Sequence, residues 1–277
     1  RLVGFAPDVV LYIPTASATP FAMLRRRILA GYVPTARVVL VALQPRTYGP
    51  LARRAIRALR PPLTLVPSRR MAESLAGLGC RVGLMRSGVD LERFAPVGAA
   101  EKLAMRARLG LPAGAFIALH VGHINTGRNV QALAQLQQAG CQAVLVGSTS
   151  TEQDDTLAQK LRQAGVIVVR TYVERIEQYY QAADCYVFPV TSDTGAIAVP
   201  LSVLEAMACN LPVVTMPYGD LASLFPTGGG LSVARNDWEL VGQVMAARQV
   251  SNVRTREMVL PYSWAAVAAD VVRQAMT

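Results

Sequence analysis

The 277 residues include 28 basic and 18 acidic side chains, a net charge of +10, with 52% hydrophobic and 17% charged residues. At ~100–200 residues per domain this length holds about two domains, large enough to bury cores without disulfide or metal staples, and the apolar content excludes a disordered chain. No uncharged apolar run approaches the ~18 residues of a membrane-spanning helix, and the charge is uneven: residues 1–97 hold 15 arginines against four acids, residues 98–277 hold 13 bases against 14 acids.

Val9 to Ile13 is a continuous apolar run of strand length, followed by loop from Pro14 to Pro20. Phe21 to Ala30 reads as helix, Arg37 to Leu43 as a Val-rich buried strand, and Tyr48 to Leu59 as an amphipathic helix. Leu63 to Val66 is a strand, Ser68 caps a helix reaching about Leu78, and Arg81 to Met85 is another short strand. Strands alternating with helices imply a parallel sheet of βαβ units. On the Tyr48–Leu59 helix, Arg53, Arg57 and Arg60 share a face with Arg54 beside it, while Leu51, Ile56 and Leu59 face the core. Arg25, Arg26 and Arg27 add a second cluster. Such arginines attract anionic lipid head groups or a lipid-phosphate acceptor, or form an ordinary solvated face. A nucleic-acid reading needs stacking aromatics among the bases, and none interleaves with these arginines.

Asp90 to Lys102 breaks the alternation with Pro96 and Gly98, which places a domain boundary between residues 1–95 and 96–277. Beyond it, strands are expected at 116–121, 143–146, 167–169, 185–188, 212–215 and 231–233. Helices fit about 101–109, 129–138, 155–164, 175–183, 201–208, 219–224, 237–248 and 263–275, the last able to pack back on the first domain. The fold class is therefore α/β, with two Rossmann-like doubly wound domains that bind ligands at the carboxyl ends of their strands. Cys80, Cys141, Cys185 and Cys209 lie far apart in mostly apolar surroundings and read as free buried thiols of a reducing compartment. With His120 and His123 the only histidines, no metal site is expected, and no cofactor.

Val121-Gly122-His123-Ile124-Asn125-Thr126-Gly127-Arg128-Asn129 follows a strand and opens a helix. Glycines let the backbone approach an anion, and a helix N-terminus offers unpaired N–H groups. The spacing mimics a P-loop, but Arg128 stands for its Lys and Asn129 for its magnesium-holding Ser/Thr, so phosphate binding without hydrolysis fits better. Arg128 can pair bidentately with phosphate; a tight turn with a surface Arg is the plainer alternative. In Val199-Pro200-Leu201-Ser202-Val203-Leu204-Glu205-Ala206-Met207-Ala208-Cys209-Asn210, Pro200 suits a helix start and Asn210 a left-handed stop. Glu205, about one turn inside, can accept two hydrogen bonds from vicinal ribose hydroxyls, or be a solvated helix carboxylate favoured by the macrodipole.

Together with Pro67-Ser68, the Ser87-Gly88-Val89-Asp90 segment running to Pro96, and Tyr262-Ser263-Trp264 near the end, these motifs resemble glycosyltransferase family 4, retaining enzymes of the GT-B fold. The resemblance covers roughly residues 63–277 and is most specific at Leu204 to Val214. It implies a nucleotide diphosphate sugar donor held by the second domain. His123 and Arg128 would contact its phosphates, with Gly122 and the Leu201 and Ser202 amides facing the diphosphate. Glu205 would hold the ribose, and the base would sit near Tyr172 and Val173. Arg128 and Glu205 are then the residues on which turnover depends. The family's E-x7-E pattern places Ile197 where its first Glu belongs, and Asp193 is the nearest preceding acid. The family's first glycine-rich loop and an acceptor-side His are expected ahead of Arg1, which makes the first domain incomplete and the chain a fragment. The expected function is retaining hexosyl transfer to a glycan or lipid-linked acceptor, in the cytoplasm or peripherally on its membrane. A catalytically degenerate nucleotide-sugar-binding module is the alternative, and a basic nucleic-acid-binding protein a third, with no nucleic acid expected as partner under the first reading.

Overall fold

The computed structural model describes residues 2–150, 152–191 and 197–277. It divides into two compact units, Arg1–Ser87 with Trp264–Thr277 and Gly88–Ser263. The first runs through α1 (Leu2–Phe5), β1 (Val9–Tyr12), α2 (Pro20–Tyr32), β2 (Arg37–Val41), α3 (Pro50–Leu59), β3 (Thr64–Val66), α4 (Arg69–Ala76) and β4 (Val82–Leu84). Its four strands pair in parallel in chain order, with Val9 opposite Arg37, Leu40 opposite Thr64 and Leu65 opposite Gly83. Helix starts follow local chemistry: the Thr19 side chain accepts from Ala22 N ahead of Pro20, and that of Ser68 from Met71 N.

The second unit runs through α5 (Ala99–Leu109), β5 (Ile117–Gly122), α6 (Ala132–Gln138), β6 (Gln142–Gly147), α7 (Asp155–Gln163), β7 (Ile167–Val169) and α8 (Glu177–Ala182). It continues through β8 (Cys185–Phe188), α9 (Leu201–Ala208), β9 (Val213–Thr215), α10 (Leu221–Leu224), β10 (Leu231–Val233), α11 (Asp237–Ala247) and α12 (Thr255–Val259), before α13 (Trp264–Met276). Six parallel strands stand in the order β10-β9-β8-β5-β6-β7. The order reverses between β5 and β8, so the crevice beyond their carboxyl ends is the topological switch point. Alternate strand residues feed two cores: Ile117, Leu119, Tyr186 and Phe188 face α8 and α9, while Ala118, Leu145, Cys185 and Val187 face α6, α7 and α11.

α13 belongs to the first unit, where Val267, Val271 and Ala275 bury against Val39, Val41, Leu63 and Leu65. The division falls at Ser87/Gly88 rather than after residue 95. Polar contacts hold the intervening segment to the second unit. Arg93 Nε pairs with Glu177 at 2.9 Å, Arg256 donates to the carbonyls of Leu91 and Phe94, and Gln181 donates to Ala95 O. A second correction concerns α3. Ile56 is fully buried, but Leu51 is 85% exposed, because it lies at the first turn, beyond the reach of the sheet. All four cysteines are free and buried, and no helix among the described residues is long and apolar enough to cross a membrane.

Candidate functional site

β5 ends on Gly122, where a Cβ would lie 2.8 Å from His120 Nε2, so this strand end tolerates no side chain. The chain then turns through Thr126–Arg128 as a single 3-10 turn, and α6 starts only at Ala132. Arg128 therefore sits on a turn ahead of the helix, where the sequence pattern placed a helix start. The cause is Asn129, whose φ of 51° is left-handed, a conformation Asn tolerates better than most residues. Its Nδ2 donates to Asp237 Oδ1 at 2.8 Å, tying the turn to the first residue of α11.

Arg128 is half-buried. Burial lowers its pKa, and Tyr218 and Tyr186 oppose that shift. Among the described residues no carboxylate forms an ion pair with it. A partly desolvated guanidinium at the carboxyl edge of a parallel sheet attracts an anion. His123, also half-buried, has its pKa lowered by burial and by Arg128, so it offers a neutral imidazole beside that charge.

α9 supplies the opposite wall. Pro200 is its N-cap, Leu201 is exposed, Ser202 is half-buried, and Asn210 ends it at φ 55°. Gly219 holds the approach to α9, since a Cβ there would stand 2.2 Å from Ala198 O and Asp220 N donates to the same oxygen. Glu205 is mostly removed from water: burial raises its pKa, while the Tyr180 hydroxyl, donating to Oε2 at 2.7 Å, and Arg93 pull it back. Its carboxylate is thus a desolvated acceptor pointing from the first turns of α9.

Burial raises the Tyr186 pKa, with Glu205 adding to that shift and Arg128 opposing it, and its hydroxyl donates to Val121 O at 3.3 Å. Gly122, His123 and Arg128 lie at and after the end of β5, and Ser202 and Glu205 on α9 after β8, on the two sides of the switch point. Tyr172, 77% exposed, and Val173, partly buried, follow β7, two strands along from β5. Asp193 lies outside the described residues, and Ile197 borders them. Sequence reasoning overlooked Tyr180, Tyr186 and Asp237. A tyrosine in a strand such as Cys185–Phe188 reads as core, and only the need of a buried phenol for a partner marks it out. Among the described residues no group of three or more His, Cys, Asp or Glu side chains is placed to hold a metal ion.

Residues 117–247 match the family model of Glycosyl transferases group 1. D-inositol 3-phosphate glycosyltransferase 2 of Catenulispora acidiphila is 32% identical over 177 residues, covering 57% of this chain and 40% of its own. The GDP-mannose-dependent alpha-mannosyltransferase of Mycobacterium tuberculosis is 30% identical over 217 residues, covering 76% of this chain and 55% of its own. The chain thus spans about half or less of the length of these curated relatives. Among solved structures, HepE of Anabaena in complex with UDP superposes with a TM-score of 0.76 at 18% identity, over 99% of this chain and 80% of that one. That likeness establishes the fold, the two-unit α/β architecture of GT-B glycosyltransferases.

Proposed function

We propose, from the match of residues 117–247 to the family model of Glycosyl transferases group 1, that this chain transfers a hexosyl group from a nucleotide diphosphate sugar to an acceptor with retention of configuration. The observation that carries this reading is that the turn after β5, which bears Arg128, and α9 after β8, which bears Glu205, both open from the switch point of the parallel sheet. Arg128, helped by His123 and the first amides of α9, stabilises the charge that builds on the leaving diphosphate. Glu205 holds the ribose hydroxyls and sets the donor's register, and Tyr172 and Val173 lie where the base would rest. Retention rests on the resemblance of the motifs to family 4.

Loss of one preorganised contact to developing charge costs ~3–4 kcal/mol, or about 10²–10³ in turnover. Arg128→Ala should show that loss in donor turnover with the fold intact by circular dichroism, because the side chain makes no ion pair among the described residues. Unchanged turnover would overturn the phosphate assignment.

A second reading, a nucleotide-sugar-binding module without catalysis, is favoured by Ile197, 37% exposed where the family pattern has a carboxylate. Calorimetric titration with UDP and GDP sugars beside a donor-hydrolysis assay separates the two: binding without turnover supports the module, and no binding sinks both. For the acceptor we propose a lipid-linked phosphate at an anionic membrane surface, which places the protein peripherally on the cytoplasmic membrane. Support comes from α2 and α3, neighbouring helices that expose Phe21, Ile28, Tyr32 and Leu51 among Arg25, Arg27, Arg53, Arg54 and Arg57.

A further inference from the structure

Two buried hydroxyl groups stand where the site's segments meet. Tyr180, from α8, and Tyr186, from β8, are both 0% exposed, with ring centroids 5.7 Å apart and planes inclined at 32°. A buried phenol needs a hydrogen-bond partner, and each finds a different one. The Tyr180 hydroxyl donates to Glu205 Oε2 at 2.7 Å. The Tyr186 hydroxyl donates to the Val121 carbonyl at 3.3 Å, one residue before Gly122, and its ring packs in the same core as Val203 and Leu204 of α9. Packing alone asks for no hydroxyl: Phe188, two residues along β8 and in the same core, fills its place without one.

We infer that Tyr180 and Tyr186 are positioning residues that form the floor of the site, Tyr180 aligning Glu205 for the ribose and Tyr186 fixing the phosphate turn against the start of α9. The inference rests on the functional reading above. A bond to one carboxylate oxygen stops rotation about the Glu205 side chain and aims the group, a directional effect that burial alone cannot supply. Tyr186 acts on backbone rather than on charge. Its oxygen holds the end of β5 at Val121, and its ring packs in the core that also takes Val203 and Leu204 from the start of α9. Both tyrosines are sealed from solvent, so each acts through the segment it holds.

The two hydroxyls therefore fail in different ways. In calorimetric titrations of the 277-residue chain with UDP and GDP, the unmodified protein should bind the 2′-deoxy nucleotide at least about 10-fold more weakly, and the monophosphate at least about 10-fold more weakly, than the parent diphosphate, as expected for loss of a hydrogen bond to a charged group. Tyr180→Phe should shrink the 2′-deoxy penalty to below about 3-fold and leave the diphosphate preference in place. Tyr186→Phe should shrink the diphosphate preference and leave the 2′-deoxy penalty in place. A uniform weakening of all nucleotides by either variant, as simple loss of packing would give, overturns the inference, as does no change in either ratio. Arg128→Ala in the same series separates the two levels. If it leaves the diphosphate preference intact, the phosphate reading itself falls. If it abolishes that preference while the tyrosine variants do nothing selective, only the floor falls.

Discussion

His120, on β5, is fully buried against β8, with Nδ1 2.9 Å from the Val187 carbonyl and Nε2 without a partner among the described residues. The Nδ1 proton donates to that carbonyl, so the neutral tautomer is fixed, and burial pushes its pKa down to about 4. Below pH 6.5 the unfolded chain takes up this proton and the folded one does not. The stability contributed by neutral burial is therefore complete above pH 6.5 and is lost as pH falls from 6.5 through about 4. Across that window the loss is about 3 kcal/mol. Urea unfolding of His120→Phe against the unmodified protein should show the second unit's acid sensitivity reduced by that amount, whatever the substitution costs at neutral pH; an unchanged slope would mean the ring is not buried neutral. Residues of this kind were opaque in the sequence, where His120 sits in an ordinary apolar strand. Glu205 and Arg128 could be singled out from the sequence as lone charges beside a helix start and a glycine turn, each with a plain structural use as the alternative. Their partners Tyr180 and Tyr186 were hidden by being good core residues as well.

Elements were read well wherever pattern and cap agreed. The six strands of the second unit fall within one or two residues of their expected positions, because buried parallel strands are continuous apolar runs, and Ser68 caps α4 as expected. Reading failed at Arg128, where local conformation is set from 108 residues away by the Asn129–Asp237 hydrogen bond. Asp237 also favours α11 through the helix dipole, so two roles must be separated. Asn236 provides the control, since its side chain caps α11 by accepting from Glu239 N and does not reach the turn. Asn236→Ala should cost ~1 kcal/mol of stability and leave nucleotide affinity unchanged. Asp237→Ala should cost comparable stability and in addition weaken UDP or GDP binding several-fold, about 1 kcal/mol, with Asp237→Asn close to the unmodified protein because its side-chain carbonyl still accepts from Asn129. Equal effects of the two alanine variants on affinity would mean the link does not position Arg128.

At the scale of the whole chain, the +10 belongs to one unit. Residues 1–87 with 264–277 hold 15 arginines against three acids, while residues 88–263 hold 13 bases against 15 acids. Not one acid occurs from Val9 to Ala72, so the arginines of α2 and α3 have no neighbours in sequence to neutralise them. The sequence showed this charge but misjudged its apolar companions. Phe21, 61% exposed, Ile28 and Tyr32 line α2 at spacings of seven and four, and Leu51 begins α3. Arg25 also lies over the Phe21 ring, 4.5 Å from its centroid. Aliphatic side chains such as Ile28 and Leu51 among the arginines favour an anionic bilayer over a nucleic acid, whose bases stack on aromatic rings but gain nothing from exposed aliphatic groups. Flotation with vesicles of phosphatidylglycerol and phosphatidylcholine should therefore show binding that weakens as salt rises, while pure phosphatidylcholine vesicles bind little. Phe21→Ser with Leu51→Ser should cut vesicle binding while leaving the melting temperature unchanged, since neither side chain is in a core. Equal binding to neutral vesicles, or salt-dependent binding to generic DNA that exceeds binding to the anionic vesicles, would count against a membrane partner, because net charge alone would then account for the whole effect.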